Sequence, residues 1–404
     1  MITIEEALAL CAEGLTPLAA ERLPLAHALN RVLAEPARAQ LDLPPFDQSA
    51  MDGYALASEG VSGASDGAPV RLGLSGEVAA ARQAEYPRLA DGTSMRIFTG
   101  GVVPSGADAV VKQEDVYVED GRLVVSAPVT TGNNVRRRGE ELAAGAELTA
   151  AGRRITPGMI GALAVAGVDD VPVHREPRIA VLVTGDEVSP AGADLPLGAI
   201  YDGNGPMLMA LLEHWGYGDV ELAYVEDDRG ALEQAMDDVF AEADLVVTTG
   251  GVSVGDKDMV IPVAREMGIE EVFWRVRQKP GKPLFLGRAE DGPVLLGLPG
   301  NPGAVAVGAQ IYLRRLLDVL EGVAEPGPHL YQGRLALETE ADPGRDSWLR
   351  AVWWTGRDGG IQLEPLGRQA SHMLSNLCHA NALLRLPASA EAYPAGSAVR
   401  WLPL

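Results

Sequence analysis

The chain has 404 residues, of which 47% are hydrophobic and 22% are charged. Domains usually contain roughly 100 to 200 residues, so a chain of this length should form about two to four of them. The formal net charge is −23 at pH 7. This charge would repel a phosphate backbone, which excludes nucleic acid as an expected partner.

The cysteines and the first residues both favour a cytoplasmic protein. Cys11 and Cys378 lie far apart, in a pattern that indicates neither a zinc site nor a disulfide framework. The sequence begins Met-Ile-Thr-Ile-Glu-Glu, without the basic and apolar regions of a signal peptide. It contains no apolar run of about 18 residues that would span a membrane. We therefore expect a cytoplasmic location and no membrane contact.

The first 177 residues are predicted to contain a discontinuous domain that is interrupted by a smaller one. Thr3 followed by Glu6 is a capping-box pattern before apolar residues at helical spacing, so the chain should open with a helix. Another helix should begin at Thr156-Pro157, a cap followed by a first-turn proline. We assign residues 1–45 and 140–177 to this helical and extended domain.

Two small β-rich domains are predicted, at 46–139 and at 326–404. In both, short β-prone runs alternate with Gly, Pro, Asp and Ser. The second domain follows the break at Pro326-Gly327-Pro328. The β-prone runs are 70–74, 95–98, 108–111 and 122–125 in the first domain, and 330–337, 348–354 and 382–386 in the second.

Residues 178–325 are predicted to form a central doubly wound α/β domain, which makes the fold class multidomain α/β plus β. Apolar strand-like runs alternate with helical patterns, as is typical of a parallel sheet covered on both faces. The predicted strands are 178–183, 220–225, 244–249, 271–276, 283–287 and 293–298. The predicted helices are 205–215, 229–242, 257–267 and 303–320.

The loops after the predicted strands hold glycines, carboxylates and lysines. Open parallel sheets bind ligands outside the carboxyl ends of their strands, so these loops should converge on one site. The Gly-rich loop 250–255 precedes a helix, and its N–H groups would bind a phosphate. In chain order the loops supply Glu187, Asp227 and Asp228, Gly250 to Asp258, Lys279 to Pro283, and Pro299 to Asn301.

These acids require a cation if the substrate is anionic. Two carboxylates about 5 Å apart repel each other by roughly 3 kcal/mol at an effective dielectric of about 20. Oxygen ligands without His or Cys favour a hard ion. We therefore predict Mg²⁺ rather than zinc, with Lys279 and Lys282 as fixed positive charges.

Each motif also has a structural interpretation. A Gly-Gly loop occurs in ordinary turns, Asp227-Asp228 suits the start of a helix, and Lys279 to Pro283 would form a rigid surface turn. Their joint occurrence at one sheet edge favours the functional interpretation. His372, Cys378 and His379 lack the spacing of metal ligands, so packing or solvent exposure is predicted for them. The absence of Gly-x-Ser-x-Gly and Walker-A motifs argues against a serine hydrolase or a P-loop NTPase.

Seven sequence motifs extend over nearly the whole chain. They are FDQSAMDGYA at 46–55, FTGGVVPSGADAVV at 98–111, GNNVRRRGEE at 132–141, VTGDEV at 183–188, TTGGVSVGDKD at 248–258, KPGKP at 279–283 and GLPGNP at 297–302. In this order they resemble the molybdopterin molybdenumtransferase family, the MoeA-like proteins that include the E domain of gephyrin. The chain departs from the family pattern at Gln48, Glu141 and Gly303-Ala304, where Asn, Asp and Val-Ser are usual.

The resemblance implies a homodimer of four-domain subunits, each with a central molybdopterin-binding α/β domain. The implied reaction is insertion of molybdate into adenylylated molybdopterin, with release of AMP and formation of molybdenum cofactor. Mg²⁺ is the implied cofactor. Transient contacts with a molybdopterin adenylyltransferase and with recipient molybdoenzymes are also implied, whereas nucleic acid and membranes are not.

The resemblance also implies roles for individual residues. Glu187, Asp227, Asp228 and Asp258 would hold Mg²⁺, and all of these except Asp228 are also predicted to be catalytic. Asp52 and Thr99 would complete the catalytic group from the first β-rich domain, across the dimer. Lys279, Lys282 and Pro283 would shape an oxyanion pocket that Arg350 and Ser371 reach from the C-terminal domain. The predicted substrate-binding residues are these five together with Gly250, Gly251, Ser253, Pro299 and Asn301.

Two other functions are compatible with parts of the chain. The central domain by itself resembles the molybdopterin adenylyltransferases, which catalyse the preceding step, but the additional domains and the motif at 46–55 argue against that function. A scaffold that binds a peptide in a groove of its C-terminal domain, as the E domain of gephyrin does, belongs to a different class. A peptide-binding assay with a catalytically inactive variant would distinguish it.

Overall fold

A computed structural model describes residues 1–253, 255, 258–290 and 292–404. Three six-stranded sheets organise these residues, one in the central α/β part and one in each β-rich part. None of the described helices is long and apolar enough to cross a membrane. The multidomain α/β plus β class that the sequence predicts is confirmed.

The central sheet contains all six predicted strands. Its strands, in their order across the sheet, are Val220–Val225, Ile179–Thr184, Leu245–Thr249, Val294–Leu298, Phe285–Arg288 and Glu270–Trp274. The first four are parallel, with Ile179 opposite both Val220 and Leu245. Their residues are buried runs such as Ile179–Thr184, which explains why apolar patterning identified them.

One strand of the central sheet differs from the predicted parallel arrangement. Phe285–Arg288 runs antiparallel to both of its neighbours. The reason is the length of its connections, because antiparallel neighbours can be joined by short loops whereas parallel neighbours need a crossover of about a dozen residues or more. Only residues 275–284 connect this strand to Glu270–Trp274, and only residues 289–293 connect it to Val294–Leu298. The strand Glu270–Trp274 nevertheless keeps the direction of the first four, so its carboxyl end lies at the same edge.

Helices cover both faces of the central sheet. On one face, Asn204–His214 and the helical stretch 302–320 pack against Val181 and Val247. On the other face, Arg229–Phe240 and Val260–Glu266 pack against Leu182 and Val246. The stretch 302–320 consists of Pro302–Gly308, a π-helical turn at Ala309–Leu313, and Arg314–Leu320. The predicted helix start at Lys257 lies outside the described residues.

The N-terminal helix Ile4–Leu10 packs into the central core. Thr3 caps it, and the capping box with Glu6 is confirmed. Its buried residues Ile4 and Ala7, with Cys11, join the cluster that contains the strands of the central sheet. This helix therefore completes the central core, although its residues fall within the predicted unit 1–45.

Two strands of the predicted unit 1–45 pair with strands of residues 140–177. Strand Ala20–Pro24 pairs with Asp170–His174, and Ala37–Arg38 pairs with Glu147–Thr149. The helix Pro157–Val165 begins as predicted, because the Thr156 side chain accepts a hydrogen bond from the Met159 N–H. A short 3₁₀ helix, Leu25–His27, completes this part.

The two β-rich parts contain the runs that the sequence predicted. The first sheet has, in spatial order, Ala109–Lys112, Gly53–Leu56, Thr93–Ile97, Val70–Val78, Arg122–Val125 and Tyr117–Glu119. The second has Gln278–Lys279, Asp346–Thr355, Ile361–Pro365, Tyr331–Leu335, Ala398–Pro403 and Ala382–Leu386.

Short elements and pairings connect these parts. Three further 3₁₀ helices lie at Ser58–Val61, Gln113–Asp115 and Ser375–Cys378. Two further pairs are Gln48–Ser49 with Val135–Arg136 and Val188–Ser189 with Ile200–Tyr201. Because Gln278–Lys279 pairs with Asp346 and Ser347, the C-terminal sheet is anchored to the central domain.

Candidate active site

A cavity of about 640 Å³ opens at the carboxyl ends of the central strands. Thr184 and Thr249, the last residues of two neighbouring strands, form part of its wall. Six of the predicted site residues line it: Glu187, Asp227, Gly250, Gly251, Asp258 and Asn301. The loops after four different strands thus converge on one cavity, as expected for an open α/β sheet.

Glycine is required at two positions of the wall. Gly250 and Gly251 have φ angles of +98° and +66°, which other residues rarely adopt. A Cβ at Gly250 would lie 2.7 Å from the Thr184 Oγ1 atom. The Gly250 N–H donates to the Leu298 carbonyl at 2.9 Å, so this N–H is not available for the predicted phosphate cradle. The loop is fixed further by the Trp274 indole, whose Nε1–H donates to the Val252 carbonyl at 3.0 Å.

Three of the four carboxylates that line the cavity, Glu187, Asp227 and Asp258, follow different strands of the central sheet. Asp258 accepts a hydrogen bond from the Gly255 N–H at 2.6 Å, which holds it at the end of the glycine loop. The Asp227 N–H donates to Asp186 at 2.9 Å, so the loops after the first two strands brace each other. Among the residues that the structure describes, no three Asp, Glu, His or Cys side chains gather closely enough to hold a metal ion by themselves.

Asp228 has a different position from the other predicted metal ligands. Its side chain caps the helix Arg229–Phe240 by accepting a hydrogen bond from the Ala231 N–H at 3.0 Å. It does not line the cavity. The capping alternative raised by the sequence therefore describes Asp228, because a carboxylate directly before a helix satisfies one of its free N–H groups.

This assignment gives a direct prediction for Asp228. Asp228→Asn should leave activity within about twofold and stability unchanged, since Asn is an equally good cap. Asp228→Ala should lower the free energy of unfolding by about 1 kcal/mol. Thermal denaturation and a turnover assay would check both variants. A large loss of activity in a stable Asp228→Asn protein would favour the predicted role of Asp228 as a metal ligand.

The loop before helix Asn204–His214 contributes residues that the sequence analysis missed. Tyr201, Asp202 and Asn204 all line the cavity. Asp202 is buried and accepts from the N–H groups of Asn204 at 2.7 Å and Gly205 at 3.1 Å. The Tyr224 hydroxyl also donates to Asp202 at 3.1 Å, and burial followed by this bond raises the pKa of Tyr224. The segment was overlooked because it follows the short strand Ile200–Tyr201, which lies outside the central sheet.

A second group of predicted residues meets at the first turn of helix Pro302–Gly308, beside the cavity. The Gly303 N–H donates to the Ser371 carbonyl at 2.8 Å. A Cβ at Gly303 would lie 2.8 Å from Arg350 Nη1, so the departure from the family pattern to glycine makes room for Arg350. The loop 279–283 also approaches this turn, because a Cβ at Gly281 would lie 3.8 Å from the Ala304 Cβ.

The lysines and several neighbours lie outside the cavity itself. Lys279 Nζ lies 3.5 Å from Asp342 Oδ2, and Lys282 is exposed. Pro283 is partly buried, Pro299 is buried and Ser253 is exposed. None of these five residues lines the 640 Å³ cavity.

Arg350 is buried, with 3% of its surface exposed, and it organises a loop of the C-terminal domain. We call residues 366–374 the strap. The Arg350 guanidinium donates to the Gln369 side chain at 3.2 Å, to the carbonyls of Arg368 and Ala370 at 3.2 Å, and to the Met373 carbonyl. These acceptors are all neutral, and burial lowers the pKa of Arg350. Arg350 therefore fixes the strap, and none of these contacts neutralises its positive charge.

The strap supplies one wall of the cavity. His372 and Leu374 both line it. A Cβ at Gly203 would lie 3.4 Å from Leu374 Cδ2, so the strap packs closely on the loop before helix Asn204–His214. The expectation that His372 has only a packing or solvent-exposed position is thus incomplete, since this exposed side chain faces the predicted site.

Asp52 and Thr99 lie together in the first β-rich part, away from the cavity lining. The Thr99 N–H and hydroxyl both donate to Asp52 Oδ1, at 2.8 and 2.7 Å. The backbone hydrogen bond, followed by that of the hydroxyl, lowers the pKa of Asp52. The half-buried Asp52 and the exposed Thr99 therefore form an ionised pair that does not line the cavity of Asp258.

Comparison with protein families gives matches along the chain. Residues 2–167 match a family model described as MoeA N-terminal region (domain I and II). Residues 180–318 match one described as probable molybdopterin binding domain. Residues 332–404 match the MoeA C-terminal region (domain IV).

Individual proteins are similar over their full length. A molybdopterin molybdenumtransferase from Haemophilus influenzae is 32% identical, with 99% of this chain and 98% of the relative covered. One from Synechococcus elongatus is 34% identical, with 95% and 94% covered. The crystal structure of a molybdopterin biosynthesis MoeA protein from Pyrococcus horikoshii matches with a TM-score of 0.83 at 27% identity and covers 100% of both chains.

Proposed function

This chain belongs to the MoeA family of molybdopterin molybdenumtransferases, and we propose that it inserts molybdate into adenylylated molybdopterin with Mg²⁺-dependent release of AMP. The observation that carries the proposal is the cavity at the end of the central sheet. It places Glu187, Asp227 and Asp258 beside the first turn of a helix on which Arg350 and Ser371 converge. A carboxylate-lined region thus adjoins a region of positive charge.

The cavity is large enough for the pterin and phosphate parts of such a substrate. Its volume of about 640 Å³ lies within the usual range for small-molecule sites, roughly 300 to 1,000 Å³. In the proposed binding mode, the phosphate link that joins the pterin to AMP lies near Asp258 and Glu187. The walls at Gly250, Gly251 and Gly300 lack side chains, which permits close approach of the substrate.

The carboxylates of the cavity suit a Mg²⁺ ion that is shared with the substrate better than a metal ion held entirely by protein ligands. Mg²⁺ in enzymes is usually held by one or two carboxylates together with waters and substrate phosphates. Glu187, Asp227 and Asp258 would supply the carboxylates, and the absence of a complete cluster among the described residues agrees with shared ligation. When bound, the ion would neutralise charge on the phosphate link and so make AMP a better leaving group.

Molybdate is proposed to bind at the first turn of helix Pro302–Gly308. The uncompensated charge of Arg350 and the positive end of the helix both favour an oxyanion there. Lys282, which is exposed, and Lys279 would add positive charge from the loop 279–283. Arg350 acts mainly as a positioning residue in this arrangement, because its donors hold the strap that carries Ser371.

We also propose that the functional unit is a homodimer. Asp52 and Thr99 do not line the cavity of their own chain. The partner subunit's Asp52 would then complete the cavity from the outside. Its half-buried carboxylate is held in position by the two hydrogen bonds from Thr99.

The proposed function is tested by AMP release from adenylylated molybdopterin. The purified protein should release AMP when Mg²⁺ and molybdate are both present, and should lose most of this activity when either is omitted. Release of pyrophosphate from ATP and molybdopterin would instead indicate the adenylyltransferase. No AMP release by a folded protein under any of these conditions would contradict the insertion reaction.

A further inference from the structure

The cavity is strongly acidic, and one basic side chain faces it. Glu187, Asp202, Asp227 and Asp258 all belong to its wall. Among the described residues of the wall, His372 is the only one of basic type. The chain as a whole carries a net charge of −23, so an anionic substrate meets unfavourable charge both at a distance and within the cavity.

His372 is held in a defined position although it is exposed. The preceding residue, Ser371, accepts a hydrogen bond from the Gly303 N–H at 2.8 Å. Two residues later, Leu374 packs against Gly203, which also lines the cavity. The buried Arg350 binds the carbonyls of Arg368, Ala370 and Met373 on either side. With the strap anchored before and after it, the backbone at His372 is held at the cavity wall.

We propose that His372 is a substrate-binding residue that donates a hydrogen bond to a phosphate oxygen of the adenylylated pterin. This inference rests on the proposed function and adds to it a side chain that binds the phosphate link. An imidazole has at least one N–H donor, and a bond to a charged phosphate oxygen is stronger than one between neutral groups. His372, Glu187 and Asp258 line the same cavity, so His372 would contact the phosphate link directly and the carboxylates would contact it through Mg²⁺.

The test compares His372→Leu with His379→Leu. Both residues are exposed and lie close together in sequence, but His379 does not line the cavity, which makes it a matched control. His372→Leu, which removes the N–H donor, should raise the KM for adenylylated molybdopterin about tenfold and change kcat less than twofold. His372→Lys, which supplies N–H donors at the same position, should recover most of the affinity. All three variants should retain the thermal midpoint of the parent protein.

Binding of AMP, measured by calorimetry, separates this inference from the proposed function. AMP carries a phosphate but needs no turnover, so its Kd should rise about tenfold in His372→Leu and stay unchanged in His379→Leu. A parent protein that binds AMP in this way without releasing it from adenylylated molybdopterin would support His372 and contradict the proposed function. An active parent whose KM and AMP affinity are the same in His372→Leu would overturn the role of His372. Equal losses in His372→Lys and His372→Leu would also overturn it, because an N–H donor at this position would then make no difference.

Discussion

Asp258→Asn should lower molybdate-dependent AMP release by about 10² to 10³-fold, the usual cost of removing one electrostatic contact to a transition state. Asparagine keeps the size of the side chain and an oxygen that can accept from the Gly255 N–H, so the glycine loop should keep its position. What is lost is the negative charge at the cavity wall. The measurement is steady-state AMP release at saturating Mg²⁺ and molybdate.

Asp228→Asn provides the matched control for this prediction. Both changes remove one carboxylate from a loop at the same sheet edge, but Asp228 caps a helix and does not line the cavity. We expect the control to keep nearly full activity. If Asp258→Asn retained full activity with intact folding, the assignment of Asp258 as a catalytic residue would be wrong.

Arg350→Met should have the second large effect, on both stability and activity. Methionine fills the buried space but leaves the Met373 carbonyl without its donor, and the carbonyls of Arg368 and Ala370 each lose one of two hydrogen bonds. An unsatisfied polar group costs roughly 1 to 3 kcal/mol, and a hydrogen bond to a charged group contributes roughly 1.5 to 3 kcal/mol, so the free energy of unfolding should fall by about 3 kcal/mol. The strap should loosen, and AMP release should fall at least tenfold because His372 and Ser371 lose their fixed positions.

Hydrogen exchange distinguishes loosening of the strap from a general loss of stability. In Arg350→Met, exchange should accelerate first in residues 366–374 and at the Gly303 N–H, which the strap covers. Arg334→Met is the control. Arg334 is exposed, and its side chain makes one described hydrogen bond, to the Gly396 carbonyl at 3.1 Å. Unchanged exchange in the strap would show that Arg350 does not position it.

The sheet and six of the residues that line the cavity could be predicted because they depend on local sequence. Buried strands such as Ile179–Thr184 appear as apolar runs, and the residues that follow them must lie at the carboxyl edge. Glu187, Asp227, Gly250 and Asp258 were found in this way and do line the cavity. The direction of Phe285–Arg288 was not found, since an apolar run has the same pattern in either direction.

Features that depend on contacts between distant segments could not be predicted. His372 reaches the cavity only because the C-terminal sheet is anchored to the central domain and Arg350 shapes the strap. The family resemblance suggested that Arg350 contributes to the oxyanion pocket, but not that its donors are used by carbonyls. Asp228 shows the converse case, in which a plausible ligand is used for a local helix cap. Residue type and spacing do not distinguish these outcomes.

The position of helix Ile4–Leu10 has a consequence for how the protein forms during synthesis. Arg288 donates to the carbonyl of Leu10, 278 residues earlier in the chain, and Ile4 and Ala7 are buried in the same core. At about 5 to 20 residues per second, the ribosome needs roughly 15 to 55 s to make the intervening segment. The apolar side of this first helix must remain uncovered during that interval, which makes it a target for chaperones. We therefore expect nascent chains to protect residues 4–11 from a protease only after the strand Val294–Leu298 has emerged, and earlier protection would indicate a different temporary partner.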